Sequence, residues 1–145
     1  DSRPGVGTRE LARALEGLGQ RLFYPPSVAG WDGGRAWLNG QTLLQRQNLA
    51  LALVSTADAR FGRRLDPAAL LRRHQADASE RQVDLLLRIF YQGDVPAAAR
   101  TRLLEYADGA RRQTYPAYWT ADDAANHRLR TLTHLVLCLP EFQLD

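Results

Sequence analysis

Six segments of the chain carry the apolar spacing of helices that are buried on one face. In each segment, apolar residues recur three and four positions apart, which brings them to the same side of a helix. The predicted helices run from Arg9 to Leu18, from Gly40 to Thr56, from Pro67 through Leu71, from Ser79 up to Gly93, from Pro96 through Ala107, and from Thr120 to Leu139. No segment alternates apolar and polar residues as a half-buried strand does. The sequence therefore predicts an all-α fold, a compact bundle of about six helices with one long ordered loop rich in Gly and Trp.

Most of these helices are preceded by a residue that can cap the first turn. The side chains that can accept a hydrogen bond there belong to Thr8, Asn39, Asp66, Ser79 and Thr120. Pro67 follows Asp66 at the first helical position, where proline is favoured. Ser79 and Thr120 are followed three residues later by Gln82 and Asp123, which is the spacing of a capping box.

The second predicted helix is apolar on most of its circumference and is expected to be almost wholly buried. Its main apolar face consists of Leu43, Leu44, Ala50, Leu51 and Val54, and a second face consists of Leu49 and Leu53. The remaining polar sector is made of Gln41, Gln45 and Asn48. Gln47 falls within the main face and Arg46 beside the second, so both are expected to be buried or half-buried groups that need partners. Our hypothesis is that one of them holds the loop that precedes the helix.

That loop, residues 22–39, concentrates aromatic residues and glycines. Its rings are Phe23, Tyr24, Trp31 and Trp37, and its glycines are Gly30, Gly33 and Gly34. One interpretation is that the rings fill a gap between helices. The other is an aromatic-rimmed binding surface in which Arg35 stacks on Trp31 or Trp37. Asp32 and Arg35, three residues apart, favour a local ion pair over a functional pair.

A second irregular segment, residues 108–118, leads into the last predicted helix. We expect the aromatic residues Tyr118 and Trp119 to stack near the first loop. The inward stripe of that helix is Ala125, Leu129, Leu132, Leu135, Val136 and Leu139. His127, His134 and Cys138 lie on its other side. His134 and Cys138 could supply two metal ligands, but a site needs three or four, so we predict no metal site.

Composition narrows the class of protein. With 145 residues the chain fits one domain. Its 19 basic residues are all arginine and face 16 acidic ones, and a dispersed net charge of +3 does not predict nucleic-acid binding. No apolar run reaches the roughly 18 residues of a membrane span. The chain has no Met, so we expect a processed product or a piece of a longer protein.

The sequence contains no motif of a known catalytic or phosphate-binding site. It has no nucleophile elbow, phosphate-cradling loop, dinucleotide fingerprint or zinc-protease helix, so we predict no catalytic residue and no cofactor for this chain alone. The candidate binding residues are those in and just after the loop: Trp31, Asp32, Arg35, Trp37, Asn39, Arg46, Gln47 and Asn48.

Several strings around the loop resemble a known family. They are Leu18-Gly19-Gln20, Pro25-Pro26, Gly30-Trp31, Gly33-Gly34-Arg35-Ala36-Trp37, Asn39, Thr42-Leu43-Leu44, Arg46, Asn48 and Pro140-Glu141-Phe142. With these strings the chain resembles the C-terminal part of the bacterial proteins called the domain of unknown function 1800 family, over nearly its whole length. It departs from the family at residues 57–75 and at Leu139, where the family usually has Ser.

The resemblance implies a mostly helical bacterial protein of which this chain is the C-terminal third. It also implies export, for example to the periplasm, and a neighbouring exported partner protein of the sulfatase-like domain of unknown function 1501 class. The family has no established reaction, so no catalytic residue can be transferred from it.

Three hypotheses for the function follow. The first is an interaction or scaffold module that docks the N-terminal part of the same protein, or an exported partner, through the Trp-containing loop of residues 22–39. The second is a ligand-binding module for a carbohydrate-like or peptide-like molecule. The third is part of an enzyme whose active site is completed by the N-terminal region.

Overall fold

A computed structural model describes residues 6–21, 23–30, 39–58, 60–61, 65–91 and 95–141 of the chain. This part contains six helices: α1 (Val6–Gly17), α2 (Gly40–Val54), α3 (Pro67–Arg73), α4 (Ser79–Tyr91), α5 (Ala97–Arg111) and α6 (Ala121–Leu137). The predicted all-α fold is confirmed. The chain divides into two units, with residues 1–65 and 143–145 in unit 1 and residues 66–142 in unit 2. The assignment of all 145 residues to a single domain stays a prediction.

Helix α1 of unit 1 ends in a glycine-dependent cap. Gly19 has a φ of +79°, a left-handed conformation that glycine adopts without steric cost. The N–H of Gln20 donates to the carbonyl of Leu15 at 2.9 Å and the N–H of Gly19 to that of Glu16 at 2.9 Å, which is a Schellman motif. The predicted start at Arg9 is wrong, because the helix begins at Val6 and Thr8 therefore lies inside its first turn.

Helix α2 begins where the sequence predicts but buries a different face. Asn39 caps it, and Val54 ends it two residues before the predicted end. The predicted burial of the main apolar face is wrong for Leu43, Leu44 and Leu51, which are exposed, and is confirmed for Ala50 and Val54, which are buried together with Ala52. Leu49 and Leu53 on the second face are half-buried. A helix that is apolar on two sides offers two faces to a neighbour, and periodicity alone cannot decide between them.

Unit 2 is built on contacts that join α3 to α6 and link α4, α5 and α6 pairwise. Its core draws buried residues from all four of these helices. The buried members are Leu71, Ala76, Val83, Leu86, Leu87, Tyr91, Leu103, Ala107, Leu132 and Val136. Leu129, Leu135 and Leu139 pack against this core half-buried, as does Leu104. The predicted inward stripe of α6 is thus confirmed at Leu129, Leu132, Leu135, Val136 and Leu139.

Two predicted helix boundaries in unit 2 are wrong. Ser79 is the first residue of α4 rather than its cap, and its buried hydroxyl makes no hydrogen bond within the described residues. Helix α5 continues to Arg111 although residues 108–118 were expected to be irregular. Its extension places Ala110 one turn after Ala107 on the buried side, and this burial offsets the cost of about 1 kcal/mol for Gly109 inside a helix. The predicted caps Asp66 and Thr120 are confirmed.

Candidate functional site

Half of the predicted binding residues cannot be placed. Trp31, Asp32, Arg35 and Trp37 lie outside the described residues, and the hypothesis that Arg46 or Gln47 holds this loop therefore stays untested. Asn39 is described, and its polar atoms serve the start of α2. Its side-chain oxygen accepts from the N–H of Thr42 at 2.9 Å, and its own N–H donates to the Thr42 hydroxyl at 3.0 Å.

The other three candidates are consecutive on α2 and face different directions. Arg46 and Gln47 are half-buried, as predicted, while Asn48 is exposed. The Nε atom of Arg46 and the side-chain oxygen of Gln45 are buried and have no hydrogen-bond partner among the described residues. Successive residues of a helix are turned by about 100°, so these three side chains do not converge on one point.

The described part of the loop exposes its rings. Phe23 is 83% exposed and Tyr24 is 66% exposed, so the interpretation that the rings fill a gap between helices is wrong for these two. The guanidinium of Arg21 lies 4.4 Å from the centre of the Tyr24 ring. Phe23 has a φ of +64°. A positive φ is unusual for a bulky residue, and non-glycine residues in this conformation are concentrated at binding sites and turns. A turn follows, in which the N–H of Gly30 donates to the carbonyl of Ser27 at 3.0 Å.

Unit 1 carries most of the exposed large hydrophobic side chains in the described part of the chain. We refer to seven of these as the exposed apolar set: Leu11, Phe23, Tyr24, Val28, Leu43, Leu44 and Leu51. Unit 2 contributes two, Ile89 and Tyr118. The units are of similar length, so size does not explain the difference.

Unit 2 contains a cleft of about 450 Å³, which we call the alanine cleft. It opens where α3, α5 and α6 meet the segment between α3 and α4. Its small lining residues are Ala68, Ala76, Ala107, Ala110 and Ala125, and its larger apolar ones are Leu71, Tyr106, Leu129 and Leu132. Space is left here because alanines occupy positions that longer side chains would fill.

The rim of the alanine cleft is polar and carries three arginines. Arg72 comes from α3, Arg111 from α5 and Arg128 from α6, and the acidic residues of the lining are Asp77 and Asp122. A terminal nitrogen of Arg111 donates to the backbone carbonyl of Asp77 at 2.6 Å. These contacts give the rim fixed hydrogen-bond donors above an apolar floor. Sequence reasoning missed this site because its residues come from four separate segments of the chain.

An aromatic group adjoins the cleft at Arg128. The rings of Tyr115 and Trp119 stack with centres 5.4 Å apart, and the His127 ring meets Trp119 edge-on at 5.2 Å. The guanidinium of Arg128 lies 5.8 Å from the centre of Tyr115. His127 is an exposed residue, but its ring packs on these two neighbours. Burial raises the pKa of Tyr106, which lines the cleft.

His134 and Cys138 contact each other near the end of α6. The sulfur of Cys138 lies 3.3 Å from Nε2 of His134. Burial raises the pKa of the Cys138 thiol, which disfavours the thiolate that acts as nucleophile or metal ligand. Within the described ranges, no group of three or more His, Cys, Asp or Glu residues is placed to hold a metal ion.

Comparison with known protein families shows which family the chain belongs to. The model of the family described as "Protein of unknown function (DUF1800)" matches residues 3–144. The chain belongs to the DUF1800 family. The resemblance predicted from the strings around the loop is therefore confirmed over nearly the whole chain. No curated protein and no solved structure matches this DUF1800 chain. None of its described helices combines the length and the apolar character needed to cross a bilayer.

Proposed function

We propose that this DUF1800 chain is a helical interaction module whose unit 1 docks on another polypeptide. The observation that carries the proposal is the concentration of exposed large hydrophobic residues in unit 1, seven against two in unit 2 within the described residues. Single exposed apolar side chains are normal on a protein surface, whereas contiguous patches of them mark interaction sites. Aromatic residues such as Phe23 and Tyr24 are also enriched in interface cores.

Helix α2 offers the most regular part of this surface. Leu44 is 58% exposed and Leu51 is 52% exposed. They are seven residues apart, which is two helical turns, so they lie on the same side of the helix. Two leucines at this spacing are a common anchor for a facing apolar surface. Trp31 and Trp37 lie close in sequence to Phe23 and Val28, and our proposal includes them in the same surface.

We infer that the occupant is the N-terminal part of the same protein. The family resemblance implies a longer protein with this chain at its C-terminal end, and a surface within one protein needs no separate encounter to become covered. Export of that protein is part of the same proposal. A separate exported sulfatase-like partner, or a second copy of this chain, would be a different occupant.

The test is to mix this chain with the separately produced N-terminal part and to measure binding by isothermal titration calorimetry. The double variant Leu44→Glu, Leu51→Glu should weaken binding by more than about tenfold, because two charges would be buried without partners. Ile89→Glu is the matched control, since Ile89 is a similarly exposed aliphatic residue in unit 2, at 43%. It should leave binding unchanged.

The proposal would be contradicted if both variants bound as the parent chain does, or if neither the parent nor the variants bound. It would also be contradicted if light scattering showed a dimer of this chain that the Leu44→Glu, Leu51→Glu variant dissociates, because a second copy would then be the occupant. Binding to the sulfatase-like protein alone would likewise overturn the assignment of the N-terminal part.

A further inference from the structure

We propose that the alanine cleft of unit 2 binds a small molecule that carries one carboxylate on an apolar body. The lining of this site lies within unit 2, and the proposal does not depend on the docking function. The shape of the cleft, the charge of its rim and the contacts that hold its arginines all suit such a ligand.

The shape suits a compact apolar group. At about 450 Å³ the cleft falls within the range of roughly 300–1,000 Å³ that is usual for small-molecule sites. Its floor is made by side chains from the core of unit 2, such as Leu71 and Leu132, both only 2% exposed. Because these residues are packed by the rest of the unit, the floor exists before a ligand arrives.

The charge of the rim suits a monoanion. Three guanidinium groups and two carboxylates, those of Asp77 and Asp122, leave the lining with a formal charge of +1. A dianion such as phosphate would be attracted by the arginines but would also face both carboxylates. A single carboxylate can accept two parallel hydrogen bonds from one guanidinium, which is the strongest neutralising contact that this rim can make.

Two of the arginines are already restrained. Arg111 donates to the carbonyl of Asp77 at 2.6 Å and retains further N–H donors, since a guanidinium has five. Arg128 lies against the ring of Tyr115, which is itself stacked on Trp119. A guanidinium that is held in place loses less side-chain entropy when it binds a ligand. Arg72, on the last turn of α3, is exposed and completes the rim.

The proposal can be tested by titrating this chain with 3-phenylpropionate and following backbone amide resonances. Saturable shifts are expected at Ala107, Ala110 and Ala125, with a Kd of about 1 mM or below for a molecule of this size. The neutral analogue 3-phenylpropionamide should bind at least about tenfold more weakly, because it has no charge for the guanidinium groups. Inorganic phosphate should bind more weakly than 3-phenylpropionate.

Matched variants separate the cleft from general surface charge. Arg128→Gln should weaken the binding of 3-phenylpropionate by about tenfold. Arg102→Gln, an exposed arginine of α5 that does not line the cleft, should leave it unchanged. Ala125→Leu should block the half-buried floor position, whereas Ala121→Leu, exposed on the same helix, should not.

Thermal unfolding should show that all four variants are folded. Equal affinity for the acid and the amide would overturn the proposal, as would an equal effect of Arg128→Gln and Arg102→Gln, tighter binding of phosphate, or the absence of saturable binding of 3-phenylpropionate.

Discussion

The hydroxyl of Tyr91 donates a buried hydrogen bond of 2.7 Å to the backbone carbonyl of Val136. Tyr91 ends α4, and Val136 lies in the last turn of α6. The last four carbonyls of a helix have no partner four residues further along the helix, so each needs another donor. Tyr91 therefore joins two helices of unit 2 and is a second donor to this carbonyl, which also accepts from the N–H of Leu139 at 3.2 Å.

Replacing Tyr91 by Phe should lower the free energy of unfolding by about 0.5–1.5 kcal/mol, the usual net value of one hydrogen bond. The ring would remain in the core, so the urea m-value should not change. Tyr118→Phe is the control, because Tyr118 is 84% exposed and should tolerate the change. Equal urea midpoints for the parent and Tyr91→Phe would show that the hydrogen bond contributes nothing.

Asp84 and Arg100 form a two-pronged ion pair between α4 and α5. Nε of Arg100 lies 2.7 Å from one carboxylate oxygen of Asp84, and a terminal nitrogen lies 2.9 Å from the other. The hydrogen bonds from Arg100 lower the pKa of Asp84. The Arg100 side chain is 36% exposed and the Asp84 side chain is 42% exposed, so solvent weakens the attraction between the two charges.

Asp84→Asn should reduce stability at pH 7 by less than Tyr91→Phe does. A carboxylate with a lowered pKa stabilises the fold above its unfolded pKa of about 3.9, and that contribution is lost as the pH falls through the lower folded value. The difference between the parent and Asp84→Asn should therefore shrink as the pH falls below about 4. Urea unfolding at several pH values measures this difference in the free energy of unfolding, and the exposed Asp108→Asn variant is the control. A difference that stays constant with pH would contradict the assignment.

Leu132 and Leu51 were both expected to face inward, but only Leu132 is buried in the structure. Leu132 is 2% exposed in the core of unit 2, whereas Leu51 is 52% exposed on α2. Leu132→Ala should cost about 2–5 kcal/mol through lost burial and the cavity left behind. Leu51→Ala should stay within about 0.5 kcal/mol. Urea unfolding compares the two variants, and a large loss of stability for Leu51→Ala would mean that the Leu51 side chain is covered.

This contrast shows which parts of the fold the sequence could predict. Helix α6 has one apolar stripe, and the side that it buries follows directly from the positions of Leu132 and Val136. Helix α2 has apolar residues on two sides, so its burial depends on which neighbours cover it, and that is not encoded in its own periodicity. The caps Asn39, Asp66 and Thr120 were predictable because each acts within a few residues of itself.

The candidate sites were less predictable for a related reason. The alanine cleft joins residues as distant in sequence as Ala68 and Leu132, and no local pattern links them. Its one sequence signal is a set of alanines at helical spacing, Ala107 with Ala110 on α5 and Ala125 on α6. Alanine is also an ordinary helix former, so this signal cannot be distinguished from propensity.

For Ser79, the sequence pattern and the structure predict different effects of the same mutation on stability. Its spacing from Gln82 predicts a capping box, in which case Ser79→Ala would cost about 0.5–2 kcal/mol. In the structure its hydroxyl is buried without a hydrogen bond to any described residue, and the side-chain nitrogen of Gln82 donates instead to the carbonyl of Asp77 at 3.3 Å. Removing a buried unpaired hydroxyl and introducing a better helix former should leave stability unchanged or raise it.

Thr120→Ala is the comparison for Ser79→Ala, because the Thr120 hydroxyl accepts from the N–H of Asp123 at 3.1 Å and is a true cap. This variant should lose about 0.5–2 kcal/mol in the same urea titration. If Ser79→Ala lost as much as Thr120→Ala, the hydroxyl of Ser79 would have a partner in solution, and α4 would begin as the capping-box spacing predicts. If Ser79→Ala lost nothing while Thr120→Ala did, the start of α4 would depend on packing instead of on a capping hydrogen bond from Ser79.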